Sequence, residues 1–203
     1  MTIDPKAVQQ FREAHQGDVI TPDDYRYDHA RRVWNALIDK RPALIARPRH
    51  ADDVIVAVTF ARGNNLPVAV RGGAHNIAGR STCDDGIVID FSDMKAIKVD
   101  AVAKTASAEP GVRWQDFDRA TQAFGLATTG GTVGDTGIAG LTLGGGFGWL
   151  EGKFGMTVDN LLRADVVLAN GELVHASSTE HADLFWALRG GGGNFGIVTS
   201  FQY

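Results

Sequence analysis

Arg71-Gly72-Gly73-Ala74-His75-Asn76-Ile77-Ala78-Gly79 follows directly on the apolar run Leu66-Pro67-Val68-Ala69-Val70. The apolar run predicts a short buried strand that delivers the chain into a loop. Most residues of that loop carry no side chain or only a methyl, so a ligand's polar groups can approach its main chain closely. Consecutive backbone N–H groups in such a turn form a concavity suited to phosphate. One bulky imidazole, His75, stands in the middle. Its residue type leaves two roles open: a hydrogen bond to a phosphate or carbonyl, or nucleophilic attachment to an electron-poor centre, which neutral imidazole performs near neutral pH.

Glycine is unevenly spread on either side of this loop. The 25 glycines among 203 residues exceed the usual share of about 7%, and they gather at 71–79, 130–148 and 190–196. A flexible linker would pair glycine with serine and lack apolar neighbours. These clusters sit between apolar strands, which favours ligand-cradling loops over simple turns. The second cluster, continuing to Asn160, is too glycine-rich for a regular element, and such a run inside a compact domain is expected to be functional. The third contains a literal G-x-G-x-x-G at Gly191, Gly193 and Gly196. Its context is wrong for a Rossmann unit, because it follows a helical pattern and opens a strand.

Residues 4–16 predict a weakly patterned helix, and Thr21-Pro22-Asp23-Asp24-Tyr25 predicts the capped start of another that runs to Leu37. Its aromatics Tyr25, Tyr27 and Trp34 are expected as packing residues rather than ligand contacts. Residues 43–46 predict a strand. A helix opens at Ala51, with Val54, Val56, Ala57, Phe60 and Ala61 at helical spacing and a left-handed cap at Gly63 and Asn64. Downstream, 86–90, 96–99 and 105–108 predict strands. Residues 113–124 predict a helix anchored by Trp114, Phe117 and Phe124 and stopped by Gly125. Residues 161–168 and 173–175 predict strands joined by an Asn170-Gly171 two-residue turn. A helix over 180–188 and a strand over 197–203 complete an α+β chain with mixed sheets. The expected division is an N-terminal helical flank over 1–40 and a domain over 41–203, built of two α+β subdomains at about 41–100 and 101–203.

The bulk properties are those of a soluble globular protein, with 44% apolar and 22% charged residues. A net charge of −4 supplies no basic stripe, so no nucleic-acid partner is expected. No apolar run approaches a membrane span, and no signal-peptide core interrupts the polar first thirty residues. The single cysteine, Cys83, excludes an intrachain disulfide and a cysteine-based zinc site, and the expected location is cytoplasmic. His15, His29, His50, His175 and His181 lack metal-ligand spacing, so no metal is expected and surface or capping roles are assigned to them. Arg189 is expected to pair with a carboxylate as a structural clamp.

Five segments agree, in order, with one family: RGGAHNIAGR (71–80), GIVIDFSDMKAI (86–97), ATTGGTVGDTGIAGLTLGGGFGWL (127–150), KFGMTVDNLLRADVVLANGE (153–172) and DLFWALRGGGGNFGIVTSF (183–201). The chain resembles the FAD-binding domain of the vanillyl-alcohol-oxidase and p-cresol-methylhydroxylase superfamily, in its berberine-bridge-enzyme-like branch. The resemblance implies two α+β subdomains with FAD between them. It also implies an FAD-linked oxidase-type oxidoreductase, passing hydride from a small-molecule alcohol, sugar or natural product to flavin N5. A flavin-binding module that is silent without a second domain or chain is the alternative.

Position by position, the resemblance places the pyrophosphate against Val70, Arg71, Gly72, Gly73, Ala74, His75, Asn76 and Gly79, with His75 bonded to the flavin 8α-methyl carbon. It lines the ribityl chain and flavin ring with Thr129, Gly130, Gly134, Thr136, Gly137, Gly140, Thr142 and Gly144. Asp159 and Asn160 would support that loop, and Gly196, Ile197 and Val198 would pass the adenine end through main-chain contacts. Many relatives form a second bond through a cysteine in the second loop. The matching position is Val133, so a single tether through His75 is expected. Relatives continue beyond the equivalent of Tyr203 into a substrate domain. That domain is expected to be absent here, and no catalytic base is assigned.

Overall fold

The computed structural model describes residues 3–203. Asp4 opens α1 (Pro5–Ala14) by accepting the Lys6 N–H at 2.9 Å, and Pro5 sits in the first turn, where a missing N–H is harmless. A short strand follows, β1 (Asp18–Ile20), and then one turn of helix, α2 (Tyr27–Ala30). The helix expected as far as Leu37 is therefore not formed. Tyr27 and Ala30 are buried and the Tyr27 hydroxyl donates to the Pro42 carbonyl at 2.6 Å, which fixes the turn against the sheet. Residues 31–41 continue as an irregular strap.

β2 (Leu44–Arg47), α3 (Ala51–Gly63), β3 (Val68–Arg71) and β4 (Ile87–Asp90) complete the first sheet, ordered β1-β2-β4-β3. β2, β4 and β3 are parallel, while β1, inside the supposed helical flank, pairs antiparallel with β2. Leu44, Ile45, Ala46, Ile87, Val88 and Ile89 are all fully buried, as central parallel strands are. β3 is an edge strand instead, with Val68 and Val70 exposed and only Ala69 and Arg71 turned inward. The left-handed residue after α3 is Asn65 (φ 52°), not Gly63 or Asn64.

At the end of this sheet lies a buried charge cluster. Asp90 accepts from Arg71 at 2.9 Å and Arg47 at 3.0 Å, and Ser92 donates its hydroxyl to the other oxygen at 2.6 Å. Arg71 also donates to the carbonyls of Ala30 and Arg32, tying the strap to β4. Burial pushes the Asp90 carboxyl up, but Arg71, Ser92 and Arg47 outweigh it, and the group stays below the ordinary carboxylate value.

The second sheet runs β5 (Ile97–Asp100), β6 (Thr105–Ala108), β7 (Arg163–Val167), β8 (Leu173–Ser177) and β9 (Ile197–Gln202), in the antiparallel order β5-β6-β9-β7-β8. β5 thus belongs to the second sheet, although a division at residue 100 groups it with the first. Between β6 and β7 lie α4 (Trp114–Gln122), α5 (Ile138–Leu143) and α6 (Glu151–Phe154), and α7 (Ala182–Gly191) precedes β9. α5 and α6 fall inside the glycine-rich stretch expected to lack regular structure. Trp114 and Phe117 are buried between α4 and the sheet, whereas Phe124, past the helix end, is exposed. The β7–β8 connection is five residues long, 168–172, with Gly171 at φ 87° and its N–H donating to the Leu168 carbonyl at 2.9 Å, and is not a two-residue turn. Val167 and Ile197 pack into the core beneath α1 and α3, joining the two sheets.

Removing one member of a buried ion cluster strands the others. Asp90→Ala is expected to lower unfolding free energy by about 3–5 kcal/mol, seen as a lower urea midpoint at unchanged slope. The contribution of the native carboxylate is present in full above its ordinary pKa of 3.8 and is lost as pH falls through its lower folded value.

Candidate cofactor site

Parallel neighbours need a long crossover, and the one from β3 to β4 is the glycine loop itself rather than a helix. Among the described residues, no backbone N–H from Gly72 to Ala78 donates to a protein acceptor. Ala74 is held at φ 61°, a conformation rare for a residue with a side chain, between Gly73 and His75. The strap fixes the loop from outside. Trp34 N–H donates to the Ala74 carbonyl at 3.1 Å, Asn35 donates to Ile77 at 2.9 Å, and Lys40 donates to Gly79 at 3.3 Å.

The first two glycine segments touch backbone to backbone. A Cβ on Gly73 would stand 2.3 Å from the Gly137 nitrogen, and one on Gly137 would stand 2.4 Å from the Gly73 nitrogen. Glycine is required at both positions. This contact brings His75 to Asp135: imidazole Nε2 lies 3.3 Å from the carboxylate, whose other oxygen pairs with Arg113. The Trp34 indole stacks on the imidazole, centroids 5.5 Å apart and planes at 26°. Burial, and then the Arg113 charge, hold the His75 pKa below 6.5, so the ring is neutral at physiological pH.

Beside this cluster opens a groove of about 350 Å³, lined chiefly by Gly131, Val133, Thr136, Gly140, Leu141 and Phe147. Its size lies at the lower end of small-molecule sites. Gly140 is the informative residue. It sits inside α5, where glycine costs about 0.5–1 kcal/mol relative to alanine, yet a Cβ there would meet no protein atom within 4 Å. Gly140 is exposed, so packing within this chain does not account for the missing methyl. Among the described residues no group of three or more His, Cys, Asp or Glu side chains could hold a metal.

Several expected site residues have side chains engaged elsewhere. Arg71 is buried in the Asp90 cluster, and Val70 points outward from the edge strand. Thr129 is buried and donates to the Gly155 carbonyl at 2.8 Å, while Thr142 shares a buried 2.6 Å hydrogen bond with the Tyr203 hydroxyl. Ile197 and Val198 bury their side chains in the two cores, and Gly196 packs against Val166 and Val167. Only the main chain of these residues is free to meet a ligand. Asn160 donates to the Phe154 and Met156 carbonyls at 3.0 and 2.8 Å, and Asp159 accepts from Met156 N–H and from Arg189. Both support the loop that follows the groove, and Arg189 is a clamp. Asp135, Arg113 and the stacking of Trp34 were not foreseen. The one legible signal was a lone carboxylate within Gly134-Asp135-Thr136.

A row of N–H groups without protein acceptors, a neutral imidazole and a side-chain-poor groove thus lie side by side. The chain belongs to the FAD-binding-domain family, matching it over residues 42–177. It is 41% identical over 187 residues to (R)-6-hydroxynicotine oxidase of Paenarthrobacter nicotinovorans, covering 92% of this chain and 41% of that protein. Among solved structures it superimposes on BBE-like 1 of Physcomitrella patens with a TM-score of 0.92 at 31% identity, covering 97% of this chain and 43% of the other. Glucooligosaccharide oxidase of Acremonium strictum, described with a 6-S-cysteinyl, 8α-N1-histidyl FAD, matches with a TM-score of 0.92 at 32% identity over 97% and 42% of the two chains. The chain spans about two-fifths of the length of the relatives it matches and has the α+β fold of the p-cresol-methylhydroxylase type.

Gly140→Ala is expected to raise the melting temperature of the flavin-free protein while weakening FAD binding about tenfold, read by thermal unfolding and flavin-fluorescence titration. A groove that holds no flavin would give the first effect without the second. Gly73→Ala, which forces the two loops apart, is expected to lower both stability and affinity.

Proposed function

We propose that this chain is the cofactor-holding part of an FAD-dependent oxidase that takes hydride from a small alcohol, sugar or natural-product substrate, with FAD attached to His75 by a single bond. The observation that carries this reading is His75 itself: neutral, stacked beneath Trp34, held beside the groove and part of a loop whose N–H groups have no protein partner. When bound, FAD supplies the hydride-accepting ring. The residues of this chain bind and orient it. The N–H groups of 72–78 suit the pyrophosphate, α5 and the glycines before it suit the ring and its ribityl chain, and the imidazole provides the attachment point.

Two facts support a single attachment. Val133 lines the groove where a second thiol tether would have to stand, and it cannot act as a nucleophile. Cys83 packs instead against the Ile20 and Val88 cluster on the first sheet, and burial pushes its thiol pKa up. Substrate and catalytic base are not assigned to these residues.

Mass spectrometry of the denatured protein is expected to show one FAD on the peptide containing His75 and none on that containing Cys83. An unmodified His75 peptide from a yellow protein would refute the tether. Because the neutral imidazole is the nucleophile and its pKa is depressed below 6.5, attachment is expected to be pH-independent above 6.5 and to slow only below it.

A further inference from the structure

Resting on the reading of His75 as the flavin attachment point, we propose that Asp135, held by Arg113, is the positioning residue that makes His75 a nucleophile: it accepts the Nε2 proton, so the ring presents its Nδ1 lone pair to the flavin. The geometry is specific. Nε2 is the nitrogen 3.3 Å from the Asp135 carboxylate, and among the described residues Nδ1 makes no hydrogen bond and is not a buried orphan atom. In neutral imidazole one nitrogen carries the proton and the other the lone pair, and the hydrogen bond made by one decides the state of the other. A carboxylate can only accept, so Nε2 is the protonated nitrogen and Nδ1 the reactive one.

Arg113 does two things. Its guanidinium occupies the second Asp135 oxygen, which orients the carboxylate towards His75, and its charge counters the tendency of Asp135 to keep the imidazole protonated. Trp34 limits rotation of the ring from the opposite side. The three contacts come from the strap, the second glycine segment and the start of α4, so the imidazole is fixed before any cofactor arrives.

The attachment then balances. Nδ1 forms a bond to the flavin 8α-carbon, one C–H bond at that carbon breaks, and Nε2 gives its proton to Asp135. The two electrons of the C–H bond leave through the flavin ring to dioxygen, which with the two protons becomes hydrogen peroxide. Asp135 serves as both orienting acceptor and base, and the product imidazole is neutral with its free lone pair on Nε2.

Two measurements on the intact protein test this. In flavin-free protein, long-range proton–nitrogen NMR of the His75 ring is expected to show the Nε2–H tautomer, and a mixture of tautomers in Asp135→Ala. At saturating FAD, first-order attachment followed by the mass of the denatured protein is expected to slow on the order of a hundredfold in Asp135→Ala, with Asp135→Asn between the two. A predominant Nδ1–H tautomer in the unsubstituted protein, or equal attachment rates with and without the carboxylate, would overturn the assignment. If the unsubstituted protein forms no adduct, the tether reading and any role of Asp135 in attachment both fall; adduct formation that ignores Asp135 overturns only the positioning role.

Discussion

A single buried carboxylate, Asp90, sets the frame on which the glycine loop after β3 hangs. It stands at the end of a strand buried on both faces and gathers Arg47 from the neighbouring strand and Arg71 from the edge. A charge in that position has to be compensated, and Arg71 does so from the end of β3, together with Arg47 and Ser92. Arg71 in turn captures the carbonyls of Ala30, at the end of α2, and of Arg32 in the strap. The result is that the loop after Arg71 leaves from a fixed point and is overlaid by a fixed strap. The arginine at the head of the glycine loop has its side chain committed to holding that loop in place.

From that peg the geometry of the site follows through small residues. Two glycines allow the first and second segments to meet main chain to main chain, and no side chain other than hydrogen fits between them. Bulk then returns on either side of the contact: His75 and Trp34 on one, Asp135 and Arg113 on the other. The close approach and the polar cluster are thus one feature, since residues two positions from each glycine are the ones that meet.

Much of this was legible in the sequence, and the reasons for the misses are physical. The strands, α3, α4 and the order of the glycine clusters follow from local periodicity and punctuation, which the chain states clearly around 43–63 and 105–125. His75 stands out in the sequence as the one imidazole of the first glycine loop, and the resemblance alone gives it the attachment role. What depends on distant partners was not readable. Nothing local to Arg71 reveals that its side chain is committed to Asp90 beneath it. Asp135 was overlooked because its two partners, His75 and Arg113, are far away in sequence. The supposed helix after Pro22 obeys the capping rules, but burial of Tyr27 and the strap's hydrogen bonds to the loop override them. In the same way, α5 forms among glycines because Ile138 and Thr142 are locked into the core.

The position of β9 has a consequence for how the chain reaches this state. It follows β5 to β8 in sequence but is the middle strand of the second sheet, pairing with β6 on one side and β7 on the other. Until residues 197–202 are available, β5–β6 and β7–β8 are two separate hairpins, each marginal alone. Tyr203, immediately after, reaches α5 through the Thr142 hydroxyl and settles among Trp114 and Phe117. The groove wall is therefore consolidated only once β9 has joined the two hairpins into one sheet.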